Sequence, residues 1–368
     1  MPEDDWQRAV LGDVAASADE PGPPPAAPNP APVSPPPADV TAPAQADVPA
    51  PAVADVPPPA PEPPAPAPVL PPEATALLTG KPRRGDSVPR RLGRSLRGIV
   101  GSSAARVTAE VTAVARQLQQ PVTTGRQIVV TSVHGGAGKS TVSALLGCAY
   151  AHYRPDPVLV MEANPTLGTL PVRLAAPSLR WTMSDVAKVV NPSMRFDQVI
   201  GYLVGLPEGG WLLPGSKGQI GARVSLAEYQ TVAVALRRYF AITVVDCETL
   251  PGELARSALA GAQARVLVAP ATAEGVAAAR TVLEWMGSVP RPMLPGTVVA
   301  LNSTSPHTAI DLEAARRYLR VGDVSVLHLP YDRHLAAGGA VRLPLLGQEM
   351  RDATARLGAE LLDRAVRR

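Results

Sequence analysis

From Arg126 onward, the chain alternates between short runs of apolar residues and longer stretches in which apolar residues recur at helical spacing. The short runs are rich in Val, Ile and Leu and do not alternate strictly with polar residues, which is typical of strands covered on both faces. Strands separated by helices predict βαβ units and a parallel sheet. The predicted strands span residues 127–133, 158–163, 242–246, 265–270, 297–302 and 324–329.

Helical patterns occupy the intervals between these strands and the end of the chain. They predict helices at 139–151, 226–240, 252–262, 273–286, 309–319 and 348–366, and a further helix at 108–120 leads into the first strand. We therefore expect residues 126–368 to form one α/β domain. Its sheet should be doubly wound and mostly parallel, with helices on both faces in a three-layer arrangement.

The region before this domain has a different composition. The stretch Pro21–Pro72 carries 23 of the 43 prolines, interleaved with Ala, Val and Asp, and has too few large apolar side chains to form a core. We predict a disordered Pro/Ala-rich arm over residues 1–80. Apolar residues recur at helical spacing within residues 4–14, which indicates either a short docking helix or a frayed terminus.

Charge divides the N-terminal region further. Residues 1–80 contain eleven acidic side chains and one basic one, whereas residues 81–106 contain eight basic side chains and only Asp86 as an acid. We expect residues 81–125 to form a basic neck and a linker helix. The arginines of the neck share one helical face, so it is either a contact for an anionic membrane or another acidic surface, or a solvated linker.

Several features indicate the compartment. The two cysteines, Cys148 and Cys247, lie far apart and form no CxxC pair, which fits a reducing environment. The first residues are acidic, unlike a signal peptide, and no apolar run approaches the ~20 residues of a membrane-spanning helix. We expect a cytoplasmic protein, held peripherally at the inner face of the membrane if the neck binds lipid.

The strongest chemical signal is a glycine-rich segment that follows the first predicted strand and opens a predicted helix. Its glycines allow successive N–H groups to curl around phosphate oxygens, and the helix N-terminus adds its positive dipole end. Lys139 is expected to reach the β- and γ-phosphates, Ser140 to bind Mg²⁺, and Thr141 to lie near the α-phosphate. We therefore predict a nucleoside triphosphate site formed by Gly135, Gly136, Ala137, Gly138, Lys139, Ser140 and Thr141.

This loop departs from the ordinary G-x-x-x-x-G-K-[ST] form and resembles the deviant Walker A loop, K-G-G-x-G-K-[ST], of the MinD/ParA ATPases. Matches to other segments of that family follow in the family's order: Leu213-Pro214-Gly215-Ser216, Val244-Val245-Asp246, Leu301-Asn302 and Leu329-Pro330-Tyr331-Asp332. The resemblance implies that Asp246 holds Mg²⁺ through water and that Asn302, Pro330 and Asp332 surround the base. No Lys-x-Asp follows Asn302, which favours ATP over GTP.

Two departures from the family bear on catalysis. His134 occupies the position of a lysine that, in the family, crosses a dimer interface to the partner's phosphates, and a neutral imidazole is a poor substitute for that charge. The family's Asp-x-Asp-Pro is replaced by a segment that offers Glu162 and Asn164. Glu162 retains a carboxylate for Mg²⁺, whereas Asn164 can orient water but cannot accept its proton. The candidate catalytic residues are Lys139, His134, Glu162 and Asn164. We expect ATP binding with slow hydrolysis.

Two functions remain open. The resemblance implies an ATP-dependent homodimer that acts as a switch, and the order of arm, neck and domain resembles the MinD-like ATPases associated with actinobacterial type VII (ESX) secretion. That likeness implies a protein partner for the arm in secretion machinery, or a role in cell-pole or septum positioning. The alternative is a non-hydrolysing, nucleotide-bound scaffold or regulator that works through its Pro-rich arm. Sequence-specific binding of nucleic acid is not expected.

Overall fold

The structure is a computed structural model that describes residues 64–70, 83–86, 103–164, 168–219, 221–289, 293–307 and 310–367, with side chains from residue 109 onward in the first helix. The docking helix predicted at 4–14 and the arginine face of the neck lie outside these described residues. Of the arm predicted to be disordered, residues 1–80, the structure describes only 64–70, so the predicted disorder of the rest stays a prediction.

Strands and helices alternate along most of the described chain. In chain order they are α1 (Ser103–Leu118), β1 (Arg126–Ser132), α2 (Lys139–Tyr153), β2 (Val158–Glu162), α3 (Leu170–Arg173), α4 (Met183–Val189), α5 (Phe196–Ile200), β3 (Val204–Gly205), β4 (Trp211–Leu213), α6 (Leu226–Leu236), β5 (Ile242–Asp246), α7 (Glu253–Gly261), β6 (Ala264–Pro270), α8 (Ala273–Ser288), β7 (Thr297–Asn302), α9 (Leu312–Tyr318), β8 (Ser325–Leu329), α10 (Arg333–Ala336) and α11 (Gln348–Val366). Two 3₁₀ turns, Leu294–Gly296 and Leu343–Leu345, complete the elements.

The strands form one sheet in the order β3-β4-β2-β5-β1-β6-β7-β8. Every pair is parallel except β3 with β4 at one edge. Strand β1 lies between β5 and β6 near the centre of the sheet, and the later strands are added on both sides of it, so the strand order reverses there. Ligands of open parallel sheets bind beyond the carboxyl ends of the strands at such a reversal.

Helices cover both faces of this sheet. Alternate residues of a strand point to opposite faces, so Ile128 and Val130 of β1 join one core with α2 and α11, whereas Val129 joins a second core with α4, α6, α7 and α8. Strands β2 and β5 are buried along their whole length. The predicted three-layer α/β fold with a mostly parallel sheet is confirmed.

All six predicted strands are present, with ends that differ by at most one residue from the prediction. Sequence patterns missed β3, β4, α3, α4, α5 and α10, because elements of two to seven residues are too short to show a period. Helix α9 begins later than predicted, since the Asp311 side chain accepts hydrogen bonds from the amides of Glu313 and Ala314 and so caps the helix there.

Two short N-terminal stretches pack on the domain. Ala67 pairs with Leu179 in an isolated antiparallel bridge, and Val69 packs against the core that contains α2 and α11. Residues 83–86 lie against the turn Leu343–Leu345 and the start of α11. Part of the region that composition assigns to the arm, and part of the neck, therefore belong structurally to the domain surface, because backbone pairing and one apolar side chain hold them there.

Candidate functional site

The glycine-rich loop connects the end of β1 to the start of α2, as predicted. Gly136 and Gly138 have φ angles of +74° and +101°, in the left-handed region that favours glycine. A Cβ added at Gly138 would lie 2.5 Å from the side-chain Nδ2 of Asn302, so glycine also permits the close approach of that side chain. The tip of the loop is exposed. It leads directly into the start of α2, whose first N–H groups have no acceptor within the helix. This geometry is suited to binding phosphate.

Lys139 lies beneath the loop. Its ammonium group is buried and donates a hydrogen bond to Ser132 Oγ at 3.2 Å, and that hydroxyl donates to the His134 carbonyl oxygen at 2.7 Å. Burial lowers the pKa of Lys139, while the nearby carboxylate of Asp246 opposes that shift. The arrangement holds one positive charge against the loop.

Two acidic residues end neighbouring strands beside this lysine. Glu162 of β2 and Asp246 of β5 are directly paired in the sheet register, and both are buried. Ser143 Oγ donates to Asp246 Oδ1 at 3.1 Å. Burial raises the pKa of Asp246 to about 6, against the opposing effects of hydrogen bonds from Ser140 and Ser143 and of the charge on Lys139.

Glu162 is held less completely. The Gly215 amide donates to its Oε2 at 3.0 Å, while Oε1 is buried with no hydrogen-bond partner in the described part of the chain. Burial raises the pKa of Glu162 to about 8, and Asp246 raises it further, against the favourable amides of Gly215 and Leu170. A Cβ at Gly168 would overlap Oε1, so a glycine at this position leaves room for the Glu162 side chain.

These residues fit a magnesium ion. Mg²⁺ is usually held by one or two carboxylates, a hydroxyl and phosphate oxygens rather than by an all-protein cage. Ser140 and Asp246 are hydrogen bonded, and among the described residues no donor contacts the buried Glu162 Oε1. Within the described residues, no group of three or more His, Cys, Asp or Glu could hold a metal alone. The set is therefore suited to a cation that arrives with phosphate.

A pocket of about 190 Å³ opens next to the loop, toward β7 and β8. Asn302, at the end of β7, reaches back to the loop, where its side-chain Nδ2 donates to the Ala137 carbonyl oxygen at 2.9 Å. The predicted phosphate and base residues thus meet at one cavity. Its lining comprises Gly136, Gly138, Thr141, Arg173, Asn302, Ser303, Thr304, Pro330, Tyr331, Asp332, Leu335, Ala336 and Met350.

Asp332 lines this pocket and also organises its wall. The carboxylate oxygen Oδ1 accepts from the amides of His334 at 2.8 Å and Leu335 at 3.1 Å, and Oδ2 accepts from the Gly347 amide at 2.7 Å. These bonds cap α10 and fix the start of α11. A direct contact between Asp332 and a nucleotide stays a prediction.

The remaining predicted catalytic residues lie near the loop but are not bound into the acidic cluster. His134 is exposed at the tip of the loop, and Asn164 is half-buried just beyond β2. Residues 165–167, which follow Asn164, lie outside the described residues. The catalytic roles of His134 and Asn164 therefore stay predictions.

Sequence patterns missed Arg173, which the structure places in the pocket. Its Nη1 donates to the Leu335 carbonyl oxygen at 3.0 Å, and no carboxylate of the described residues lies within ion-pair distance of it. Burial lowers its pKa. Arg173 belongs to α3, a single turn without a motif, so only the tertiary structure shows that a cation faces this cavity.

Known structures share this architecture. A ParA-family ATPase from Chlorobium tepidum TLS superimposes with a TM-score of 0.51 at 13% identity, covering 66% of this chain and 98% of that one. The cell-division protein MinD of Aquifex aeolicus gives a TM-score of 0.48 at 20% identity, covering 63% and 96%. The first likeness shows that the domain has the fold of the ParA/MinD-type P-loop ATPases.

Sequence comparison gives one kind of curated relative. The ESX-1 secretion-associated protein EspI of Mycobacterium tuberculosis, from two strains, is 27% identical over 243 residues, which is 64% of this chain and 36% of EspI. The chain therefore spans about a third of the length of the curated relative that it matches. No protein-family profile matches the sequence. Of the helices that the structure describes, none combines the length and the apolar character needed to cross a bilayer.

Proposed function

We propose, from the ParA/MinD-type P-loop ATPase fold of this domain, that the pocket binds ATP with Mg²⁺ and that the bound nucleotide switches the protein between states. One observation carries this proposal: Lys139, Ser140 and Asp246 converge at the carboxyl edge of the sheet, beside a cavity bounded by the glycine-rich loop and Asn302. A cation, a metal-binding set and an enclosed space for a base are what a nucleoside triphosphate requires.

The residues divide the work of binding. The amides of the loop and the start of α2 receive the phosphates, and Lys139 adds a positive charge from beneath. Ser140 and Asp246, with Glu162 beside them, would hold Mg²⁺, which when bound neutralises phosphate charge. Burial raises the pKa of Glu162 to about 8. The positive charge of a bound cation would lower that pKa again and so favour the carboxylate as a ligand.

Hydrolysis by the isolated protein is proposed to be slow. Asn164 lies where a base is expected, but a carboxamide cannot take a proton from water. His134, at the tip of the loop, puts a shorter imidazole where the family has the fixed positive charge of a lysine. Loss of such charge stabilisation costs roughly 10³–10⁵ in rate for catalytic arginines of related chemistry.

We further propose that two copies of the chain pair when ATP is bound, and that the protein is linked to type VII secretion. The exposed loop with His134 would face a partner copy. The similarity to EspI, an ESX-1 secretion-associated protein, supports the secretion link. The Pro-rich arm would contact a protein of that machinery. The alternative is a nucleotide-bound scaffold that does not hydrolyse ATP, and the His134 and Asn164 substitutions favour it.

Calorimetry with Mg-ATP on the full chain and on Lys139→Ala tests the binding. We expect the variant to lose at least ~100-fold in affinity, because a buried charge-assisted contact is removed. Lys188→Ala, on α4, is the matched control and should bind as the wild type does. Equal affinity in all three proteins would contradict the proposed site.

Light scattering with and without Mg-ATP then separates the two functions. A doubling of mass that requires ATP, with measurable turnover, supports the switch. ATP binding by a protein that stays monomeric and releases no phosphate supports the scaffold.

A further inference from the structure

Residues 83–86, which we call the strap, form a backbone-mediated contact with the far side of the pocket. The Gly85 amide donates to the Leu345 carbonyl oxygen at 2.8 Å. The Gln348 amide donates to Asp86 Oδ2 at 3.1 Å, which gives α11 an acceptor at its first turn. Gly347, the residue before α11, has no side chain that could do this. The strap therefore completes the N-terminus of α11 from a distant part of the chain.

A histidine connects the strap to α10. His334 is buried, and its Nε2 accepts a hydrogen bond from the Arg342 amide at 3.2 Å. An accepting Nε2 leaves the proton of the neutral ring on Nδ1, which lies 3.0 Å from the Arg83 carbonyl oxygen and so donates to it. Both ends of the strap are therefore held by residues that follow β8.

The strap is fitted too closely for any side chain at its centre. A Cβ added at Gly85 would overlap Asp332 Oδ2 and the Gly347 nitrogen, which are themselves joined by a hydrogen bond of 2.7 Å. Asp332 Oδ1 in turn caps α10. Gly85 thus lies directly against the carboxylate that sets the positions of α10 and α11.

Asp332 and helices α10 and α11 form one wall of the pocket. Asp332, Leu335 of α10 and Met350 of α11 all line the cavity next to the glycine-rich loop. Displacing the strap would remove the acceptor at α11 and free the carboxylate side that Gly85 covers. The wall that faces the strap on one side faces the pocket on the other.

We propose that the strap is a positioning element of the nucleotide pocket, so that a bound adenosine group and a docked strap stabilise each other. This inference rests on the proposed ATP site. The strap lies in the chain between the Pro-rich arm and α1, so nucleotide occupancy would determine how firmly residues 83–86 are held at the domain. Coupling of this kind is reciprocal, because each ligand or contact must change the stability of the other by the same factor.

The first test compares glycine variants of the full chain. Gly85→Ala should weaken Mg-ATP binding about fivefold to tenfold, a coupling of the usual size between two sites. Gly261→Ala, where an added Cβ meets nothing within 4 Å, is the matched control and should leave affinity unchanged. Wild-type affinity in a folded Gly85→Ala protein would overturn the proposal.

A second pair keeps the test decisive if Gly85→Ala does not fold. Asp86→Ala removes the acceptor at α11, whereas Asp86→Asn retains a side-chain oxygen in the same place. We expect the alanine variant to lose ATP affinity severalfold and the asparagine variant to recover most of it. Equal affinity in both variants would overturn the proposal.

Limited trypsin digestion of the wild type reads the coupling in the other direction. Cleavage after Arg83 and Arg84 should slow severalfold with ATP or adenosine, which fill the side of the pocket nearest the strap, but not with tripolyphosphate, which occupies only the loop. Equal protection by ATP and tripolyphosphate would overturn the proposal. A protein that binds none of the three ligands would instead contradict the ATP site itself, which separates the two failures.

Discussion

The two ends of the pocket are constructed differently. The end proposed to bind phosphate, which we call the phosphate end, comes from one continuous stretch, Gly135–Thr141, with carboxylates at the ends of the two adjoining strands. The end proposed to bind the base, which we call the base end, is assembled from α3, the end of β7, the segment after β8 and the start of α11. The first end is rich in charged groups buried close together, and the second is shaped mainly by backbone hydrogen bonds to Asp332.

This difference separates two physical tasks. Polyphosphate is bound by charge and by aligned amides, which a short loop at a helix N-terminus supplies locally. A base needs a rigid, closely fitted cavity, which a chain can supply only by bringing distant segments together. We therefore expect substitutions at the phosphate end to act through Mg²⁺ and charge, and those at the base end to act through geometry.

Asp246→Asn should remove most of the contribution of Mg²⁺ at the phosphate end. The variant keeps an oxygen for the Ser143 hydroxyl but loses the negative charge beside Ser140. We expect Mg²⁺ to improve ATP affinity ~100-fold less than in the wild type, because Mg²⁺ favours a charged carboxylate in its coordination sphere. Calorimetry with and without EDTA measures the difference.

The exposed Asp197→Asn is the control for that substitution, and it should retain the full effect of Mg²⁺. Asp246→Asn and the wild type should bind ATP alike in EDTA. An undiminished effect of Mg²⁺ in Asp246→Asn would show that the metal is held elsewhere.

Glu162→Gln should change how stability depends on pH. The pKa of Glu162 is raised from 4.5 to about 8, so the folded protein binds this proton more tightly than the unfolded chain does. The free energy of unfolding must therefore fall as pH rises from about 4.5 to about 8. Without ligands, we expect the wild type to lose roughly 2 kcal/mol more stability than the variant over this range. This is less than ~1.4 kcal/mol for each unit of the pKa shift would give, because the protein and solvent around the charged carboxylate partly relax.

Urea denaturation at pH 5, 6.5 and 8 measures this slope. Glu274→Gln, at an exposed position of α8, is the control and should follow the wild type. Parallel curves for the wild type and Glu162→Gln would mean that Glu162 is not desolvated as the structure places it.

The glycine-rich loop and its place between a strand and a helix could be predicted from the sequence. Its signal is contiguous, since Gly138, Lys139 and Ser140 stand next to one another between a strand and a helix, and the physics that binds phosphate acts over the same short range. Strands of five to seven residues were equally visible, because burial on both faces leaves uniform apolar runs.

Most of the base end could not be predicted in this way. Asn302, Pro330 and Asp332 were found only through the order of segments in a known family, and nothing near Arg173 or Gly85 in the sequence marks them. Their roles depend on contacts between residues far apart in the chain, such as Arg173 with Leu335 and Gly85 with Leu345. Local patterns carry no information about such pairs.

Asn302→Ala tests the contact that connects the phosphate end of the pocket to the base end. It removes the hydrogen bond of 2.9 Å from Asn302 to the Ala137 carbonyl oxygen, which ties the pocket to the glycine-rich loop. A hydrogen bond of this kind contributes about 0.5–1.5 kcal/mol, so we expect ATP affinity to fall up to about tenfold. Tripolyphosphate affinity should fall as well, because the loop itself is loosened.

Asn191→Ala, at an exposed position after α4, is the control and should bind both ligands normally. A variant at Asn302 that loses affinity for ATP but keeps it for tripolyphosphate would show that this side chain contacts only the base. The two ends would then be independent.

Arg173→Gln should give the smallest effect and would show whether charge matters at the base end. Glutamine can still donate to the Leu335 carbonyl oxygen, so the variant removes the charge while it keeps a donor near that wall. The Arg173 guanidinium is half-buried, and no carboxylate of the described part of the chain lies within ion-pair distance of it. Its charge attracts the nucleotide phosphates with little screening, so we expect a loss of about threefold to fivefold in ATP affinity. The loss should shrink as salt is raised, whereas that of Asn302→Ala should not. The exposed Arg180→Gln is the control. A salt-independent loss in Arg173→Gln would mean that Arg173, like Asp332, contributes only to the shape of the pocket.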